Sequence, residues 1–236
     1  MNYFFWTYGI LIICILISVA AQIKISASYS KYRKVASSKG YTGYTAAREI
    51  LDRNGLAFVN IEMISGKLSD HFDPRQNVIR LSQDVYNGNS VAAIGVAAHE
   101  CGHAIQYDRE YIPMKIRNSV VKTTSLCSTL SFVLILLGVF ISVLGSTMGE
   151  IGGYIINAGI IAYAVIVLFQ LITLPVEFNA SKRALSTIDE YGIVSSEEKG
   201  MVANVLTSAA LTYLAAFVVS LLQLLRLIMI FGGRRN

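Results

Sequence analysis

Apolar side chains along this chain gather in four long runs, and two polar stretches separate them. Residues 1–23 carry no charged side chain and can cross a hydrocarbon core of about 30 Å as a helix. A cleaved signal peptide is the alternative, but its basic start is missing and the apolar run is too long. Residues 123–149 and 151–176 are also uncharged, with Glu150 alone between them. The pattern predicts a membrane anchor over residues 1–23 and a transmembrane hairpin over residues 123–176.

The fourth apolar run lies in residues 200–236, and polar residues interrupt it. Gln223 and Arg226 fall inside the run, and Arg234 with Arg235 follow it. A simple crossing would leave the last two arginines outside, against the positive-inside rule. Three arrangements stay open: Arg226 faces the bundle interior, its side chain snorkels, or the segment lies partly in the interface. The sequence predicts a fourth membrane helix here.

The two polar stretches, residues 24–122 and 177–199, mix polar and apolar residues as a soluble domain does. Helical spacing and strand alternation in the first stretch predict a small α+β unit of two strands flanked by helices. Its predicted elements are helices over residues 45–54 and 91–107 and strands over residues 57–64 and 77–82. The second stretch predicts a helix from Glu177 to about Glu190.

Composition narrows the class of protein. Of 236 residues, 54% are hydrophobic and 15% are charged, against about 25% charged in an ordinary soluble domain, which excludes a soluble enzyme. Lys31, Arg33 and Lys34 follow the first apolar run, as expected on the cytoplasmic side of a membrane. The predicted partner is therefore the lipid bilayer and not nucleic acid, because no recognition motif accompanies the charge. Three cysteines define no disulfide framework, and the predicted fold is a mainly α, multi-pass membrane protein with a small β element.

The run His99-Glu100-Cys101-Gly102-His103 matches the pattern H-E-x-x-H. Histidines four residues apart lie one above the other on a helix, about 6 Å apart along the axis, and can hold one Zn²⁺ between them. The glutamate projects beside them, where it can accept a proton from a zinc-bound water. The alternative is a chance match, but a buried helix with this carboxylate and no ligand would carry an unpaired charge.

A catalytic zinc usually takes three protein ligands, so a third residue must come from elsewhere. The metzincin extension is absent, because Gln106 and Arg109 stand where its glycine and its third ligand would be. Asp108, His71 and Glu177 remain as candidates.

These residues resemble the bacterial membrane-bound neutral zinc metallopeptidases of the YugP type, whose layout is related to that of the HtpX-like membrane proteases. The resemblance covers nearly the whole chain: the anchor, residues 70–75, residues 98–106, the hairpin and residues 174–181. It implies a helical, zincin-like catalytic unit of the gluzincin kind, in which Glu177 completes the zinc site. The HtpX-like pattern has an aspartate where this chain has Ser181, so we expect another residue to orient the ligands.

Topology favours the same third ligand. Glu177 is the first charged residue after the hairpin, and a hairpin that re-enters on the same side returns it near the point where the chain left. The alternative is a solvated helix start stabilised by the helix dipole.

Three further features are candidates for handling a substrate. His71 is expected to bind a tetrahedral oxyanion or line the cleft, and its alternative is a polar turn before a strand. Arg183 is a weaker oxyanion candidate that also suits a salt bridge or a lipid-facing charge. The strand over residues 77–82 is predicted to be a free edge onto which an extended peptide docks.

The sequence thus predicts a zinc endopeptidase of the bacterial cytoplasmic membrane, with its active site facing the cytoplasm. His99, His103 and Glu177 would hold zinc and Glu100 would be the general base. The expected substrates are polypeptides in or near the membrane. The rival is a non-catalytic membrane scaffold in which a fourth protein ligand, such as Asp108, His71 or Cys101, closes the zinc site. No oligomeric state is predicted.

Overall fold

A computed structural model describes residues 2–66, 69–144 and 146–232 of the chain. Arg234, Arg235 and the centre of the predicted hairpin turn at Gly145 lie outside the described residues. The described elements are α1 (Asn2–Tyr32), α2 (Gly43–Arg53), β1 (Asn60–Ile64), β2 (His71–Asp73), β3 (Val78–Ser82), α3 (Gln83–Tyr86), α4 (Val91–Asp108), α5 (Ile112–Ser142), α6 (Ser146–Glu190) and α7 (Ser196–Phe231). The mainly α prediction with a small β element is therefore confirmed.

Four helices in the described part of the chain are long and apolar enough to cross a membrane. They are Tyr8–Tyr32, Ile112–Ser142, Met148–Glu190 and Ser196–Phe231. The fourth helix includes the apolar run that Gln223 and Arg226 interrupt, for which the sequence left three arrangements open. There the Arg226 guanidinium donates to the Gln223 side-chain oxygen at 3.2 Å, so the two interrupting residues pair with each other.

The chain forms two compact units, and the first contains the membrane hairpin. Inside it, α5 and α6 approach closely through small residues. A Cβ built on Gly138 would lie 2.7 Å from the Gly152 carbonyl oxygen, and one built on Gly159 would lie 2.7 Å from an Ile135 side-chain carbon. Glycines let helix backbones approach in this way. Close van der Waals packing matters in a bilayer, because the hydrophobic effect does not drive helices together in lipid.

The second unit comprises residues 21–115 and 175–212, and both polar stretches contribute to it. The Ser38 backbone N–H donates to a carboxylate oxygen of buried Glu198 at 2.6 Å, which ties the two stretches together. One hydrophobic core joins α2, α4, the sheet and the C-terminal part of α6. Its largest fully buried members include Ile50, Leu51, Ile79, Leu81, Ile94 and Ile188.

The sheet differs from the predicted pair of strands, because it has three strands in the order β1-β3-β2. β3 pairs in parallel with β1 and antiparallel with β2. The prediction that residues 77–82 form a free edge is therefore wrong, since β3 is the central strand. The missed strand, β2, has only three residues. It is held in part by Asp70, whose carboxylate accepts from the Ser82 backbone N–H at 2.7 Å.

Helix α6 also differs from the sequence prediction of a separate helix beginning at Glu177. It runs for 45 residues from Ser146 to Glu190 with Pro175 inside. A proline within a helix removes one backbone hydrogen bond and costs about 3 kcal/mol, so the sequence favoured a break there. The polar residues after Pro175 instead continue the hairpin helix, and this continuation carries Glu177.

Candidate metal centre

The first two residues of the site come from one face of α4. The Ser90 side chain caps this helix by accepting from the Ala93 backbone N–H at 3.2 Å, and the Ala-rich turns that follow are buried. His99 and His103 lie one turn apart, with ring centroids separated by 4.7 Å. The i, i+4 pairing predicted from the sequence is thus present, and α4 is anchored on both sides of the histidines by core packing.

The third residue comes from α6, which approaches α4 at Gly102. A Cβ built on Gly102 would lie 2.5 Å from the Ala180 carbonyl oxygen and 3.2 Å from its Cα. Only glycine permits this approach without a shift of backbone. Ala180 lies one turn after Glu177, so the contact sets how near the Glu177 carboxylate comes to the histidines.

His99, His103 and Glu177 form a cluster whose ligand atoms all lie within 4.8 Å of one another. The distance from Glu177 Oε2 to Nε2 is 3.2 Å for His99 and 3.5 Å for His103. Two ligands each about 2.05 Å from a tetrahedral zinc lie about 3.3 Å apart, so these separations suit zinc. Glu177 is only 1% exposed, and two nitrogens with one carboxylate are a donor set that zinc accepts.

Both histidines have a polar neighbour on the ring nitrogen that faces away from Glu177. Nδ1 of His99 lies 3.2 Å from Ser181 Oγ, and Nδ1 of His103 lies 3.0 Å from Gln106 Oε1. The expectation that a residue other than Ser181 orients the ligands was therefore half wrong, because Ser181 contacts His99. Sequence reasoning missed Gln106, although its place seven residues after His99 puts a third polar side chain on the same face of a buried helix.

Glu100 is the buried acid of the motif, with 8% of its surface exposed. Burial raises its pKa to about 7, since the carboxylate loses water. The charge of His99 and a hydrogen bond from the Phe72 backbone N–H lower the pKa, while Glu177 and Asp70 raise it. A carboxyl group with this pKa can take up and release a proton near neutral pH.

The other candidate residues lie outside the cluster found in the described part of the chain. His71 is exposed at the start of β2, with Nδ1 2.7 Å from the Ser69 carbonyl oxygen. Asp108 is the last residue of α4 and lies beside Arg109. Buried Cys101 contacts the Ala47 carbonyl oxygen with its sulfur at 3.6 Å, so it belongs to the core. Arg183 donates from Nε to Asn179 Oδ1 at 2.8 Å.

A cavity of about 350 Å³ adjoins the C-terminal half of α4. Ala104, Gln106 and Tyr107 line it from α4, and Phe58 and Phe72 line it from the strand side. The rings of Phe72 and Tyr107 meet edge to face at a centroid distance of 6.0 Å. The cavity wall therefore combines aromatic rings with polar and charged side chains, and it begins at the residue after His103.

Comparison with known proteins identifies the family of the chain. A sequence model of the family described as "Putative neutral zinc metallopeptidase" matches residues 7–232. The chain is 44% identical over 220 residues to "Putative membrane protease YugP" of Bacillus subtilis (strain 168), which covers 93% of this chain and 94% of that protein. No solved structure matches the chain. By the family match over nearly its whole length and by this relative, the chain belongs to the family described as putative neutral zinc metallopeptidases.

Proposed function

We propose that this protein is a membrane-embedded zinc endopeptidase of the gluzincin kind. The observation that carries the proposal is the cluster of partly buried His99 with buried His103 and Glu177, with Glu100 beside it. In the proposed assignment the first three residues hold zinc and Glu100 is the general base. The family match and the name of the Bacillus relative support a peptidase that uses zinc.

The chemistry follows from the side chains at the site. When bound, zinc supplies a Lewis acid that polarises the scissile carbonyl and lowers the pKa of a coordinated water to about 7. Glu100 takes a proton from the attacking water as the new C–O bond forms. It then gives that proton to the departing amine nitrogen as the C–N bond breaks, so it returns to the carboxylate form. The raised pKa of Glu100 suits both transfers.

The proposed substrates are polypeptides in or near the membrane. The four candidate membrane helices support this, as does the name of the Bacillus relative as a membrane protease. The cavity beside Ala104, whose wall includes the rings of Phe58 and Phe72, is large enough for an apolar side chain of such a polypeptide. His71 is proposed to line the cleft, because the next residue, Phe72, lines the cavity beside Ala104.

We further propose that the site faces the cytoplasm of a bacterial cell. The basic residues after α1 support this orientation, and the hydrogen bond from Ser38 to Glu198 supports a common side for both polar stretches. Cysteines introduced at the exposed positions Lys39 and Glu197 test it with a membrane-impermeant maleimide. Both should be protected in intact spheroplasts and labelled after lysis. Labelling of one position but not the other in intact spheroplasts would refute the shared side.

A non-catalytic zinc scaffold is the less favoured function. A structural zinc site is usually closed by four protein ligands, whereas the cluster among the described residues contains three. Zinc held by these three residues alone would keep a coordination position for water or substrate, which supports catalysis.

Two glutamine substitutions test the roles of the acids. Glu100→Gln removes the proton acceptor but no zinc ligand, so zinc should stay bound while casein hydrolysis falls by about 10²–10⁴-fold. Glu177→Gln replaces a charged ligand by a neutral amide, so zinc content and activity should fall together. Glu190→Gln, at an exposed position on the same helix, is the matched control and should change neither.

Zinc stoichiometry of the purified variants, measured beside activity, separates the two roles. Full zinc in Glu177→Gln together with loss of zinc in His71→Ala would make His71 the third ligand and the gluzincin assignment wrong. A wild-type protein that binds zinc without hydrolysing any membrane or soluble polypeptide would favour the scaffold.

A further inference from the structure

Gln106 is a fully buried amide that contacts both helices of the metal centre. Its Oε1 lies 3.0 Å from Nδ1 of His103 on its own helix. Its Nε2 lies 2.7 Å from the Val176 carbonyl oxygen and 3.0 Å from Asn179 Oδ1, both on α6. The three hydrogen bonds of this side chain therefore go to one proposed zinc ligand, His103, and to two residues near another, Glu177.

The partners fix which end of the amide faces which helix. A backbone carbonyl oxygen can only accept a hydrogen bond, so the Val176 oxygen must face the NH₂ group of Gln106. The Gln106 amide oxygen then faces His103, and an amide oxygen can only accept a hydrogen bond. Nδ1 of His103 must consequently carry the hydrogen, which leaves the lone pair of a neutral imidazole on Nε2. That atom is the one 3.5 Å from Glu177 Oε2.

The same amide also holds the third proposed ligand. Val176 directly precedes Glu177, so the bond from Gln106 fixes the backbone from which the carboxylate projects. Asn179 is in turn held by Arg183, which donates from Nε to the oxygen that Gln106 also contacts. A chain of hydrogen bonds thus runs from the Arg183 guanidinium through Asn179 and Gln106 to His103.

We propose that Gln106 is a positioning residue of the metal centre, which sets the tautomer of His103 with its oxygen and the place of Glu177 with its nitrogen. The proposal rests on the proposed function, because it takes His103 and Glu177 to be zinc ligands. Groups that orient ligating histidines typically change metal affinity by about 10–100-fold when they are removed.

Two substitutions separate the two ends of the amide. Gln106→Met fills similar space but has no acceptor for His103, so zinc affinity should fall by about 10–100-fold. Gln106→Glu keeps an oxygen toward His103 and loses only the donor toward Val176, so its zinc affinity should fall, but by less than that of Gln106→Met, and wild-type affinity would refute the role of the nitrogen. Both variants should unfold at lower temperature, since both lose the buried hydrogen bond from Gln106 to the Val176 oxygen.

Asn54→Leu is the matched control for a structural effect. It removes another amide of the same compact unit, one that donates to the Ile50 carbonyl oxygen at 2.8 Å and to the Tyr191 hydroxyl at 3.1 Å. This variant should lower thermal stability without changing zinc affinity. Zinc affinity is measured on the full-length protein in detergent, by competition with a chromophoric chelator on the folded fraction from gel filtration.

A second readout does not depend on activity or on the stability of Gln106→Glu. Cobalt loaded into the wild-type protein should give the visible absorption of a tetrahedral site, and Gln106→Met should shift or weaken that absorption. Wild-type zinc affinity and an unchanged cobalt spectrum in Gln106→Met would overturn the inference while leaving the proposed function intact. Absence of zinc binding by the wild-type protein would overturn the proposed function itself.

Discussion

Replacement of Gly102 by alanine tests whether the approach of α4 to α6 builds the metal centre. The added Cβ would lie 2.5 Å from the Ala180 carbonyl oxygen, and the next nearest atoms are the carbonyl carbon and Cα of Ala180, at 3.1 and 3.2 Å. All three are backbone atoms of a helix, so no side-chain rotation relieves the contact.

The size of the displacement follows from these distances. Ordinary van der Waals contact to a Cβ begins at 3.4 Å, so the Ala180 backbone must retreat by about 0.9 Å from its 2.5 Å position. Glu177 lies one turn away on the same helix and moves with it. Zinc–ligand distances tolerate only about 0.2 Å, so the Glu177 carboxylate would be displaced well beyond that tolerance. Overpacking also costs about 1–3 kcal/mol of stability, against a gain of about 1 kcal/mol from the helix propensity of alanine.

We therefore expect Gly102→Ala to lower zinc affinity by at least about tenfold, with a modest loss of thermal stability. The assay is chelator competition on protein purified in detergent, beside a thermal unfolding curve. Gly95→Ala is the matched control on α4, because the atoms nearest to its added Cβ belong to the Val202 side chain, the closest at 3.0 Å, and not to a helix backbone. It should keep wild-type zinc affinity. Full zinc affinity in Gly102→Ala would refute the argument that this close approach sets the position of Glu177.

Two further predictions concern the metal and the buried thiol. Removal of zinc with a chelator should lower the thermal midpoint and abolish proteolysis, and added zinc at 100 times its Kd should restore about 2.7 kcal/mol of stability. A midpoint unaffected by the chelator would contradict a zinc site between α4 and α6. Burial raises the pKa of Cys101 well above its usual range, so its thiol should stay protonated and resist alkylation as the pH rises from 7 to 9. Mass spectrometry should find it alkylated only after denaturation, whereas a cysteine placed at exposed Lys39 should react in the folded protein.

The sequence by itself determined the membrane helices and the two histidines, since both depend on local properties of the chain. An uncharged run of about 20 residues can satisfy its backbone in lipid only as a helix, whatever its neighbours are. Helical periodicity likewise places His99 and His103 on one face without reference to any distant contact. The order of charged and uncharged segments also indicated Glu177, because it is the first charged residue after the hairpin and the hairpin brings the chain back to the same side of the membrane.

Only the tertiary structure decided the surroundings of the proposed zinc ligands. Sequence patterning missed β2 and took the central strand for an edge, because three residues are too few for alternation and strand order depends on pairing between distant segments. The continuation of α6 through Pro175 opposes a local preference that the core packing of this helix overrides. The position of Gln106 on the histidine face of α4 follows from the sequence spacing, but its role does not. Its acceptors, Val176 and Asn179, are about 70 residues away in sequence and meet it only because Gly102 lets two helix backbones come together.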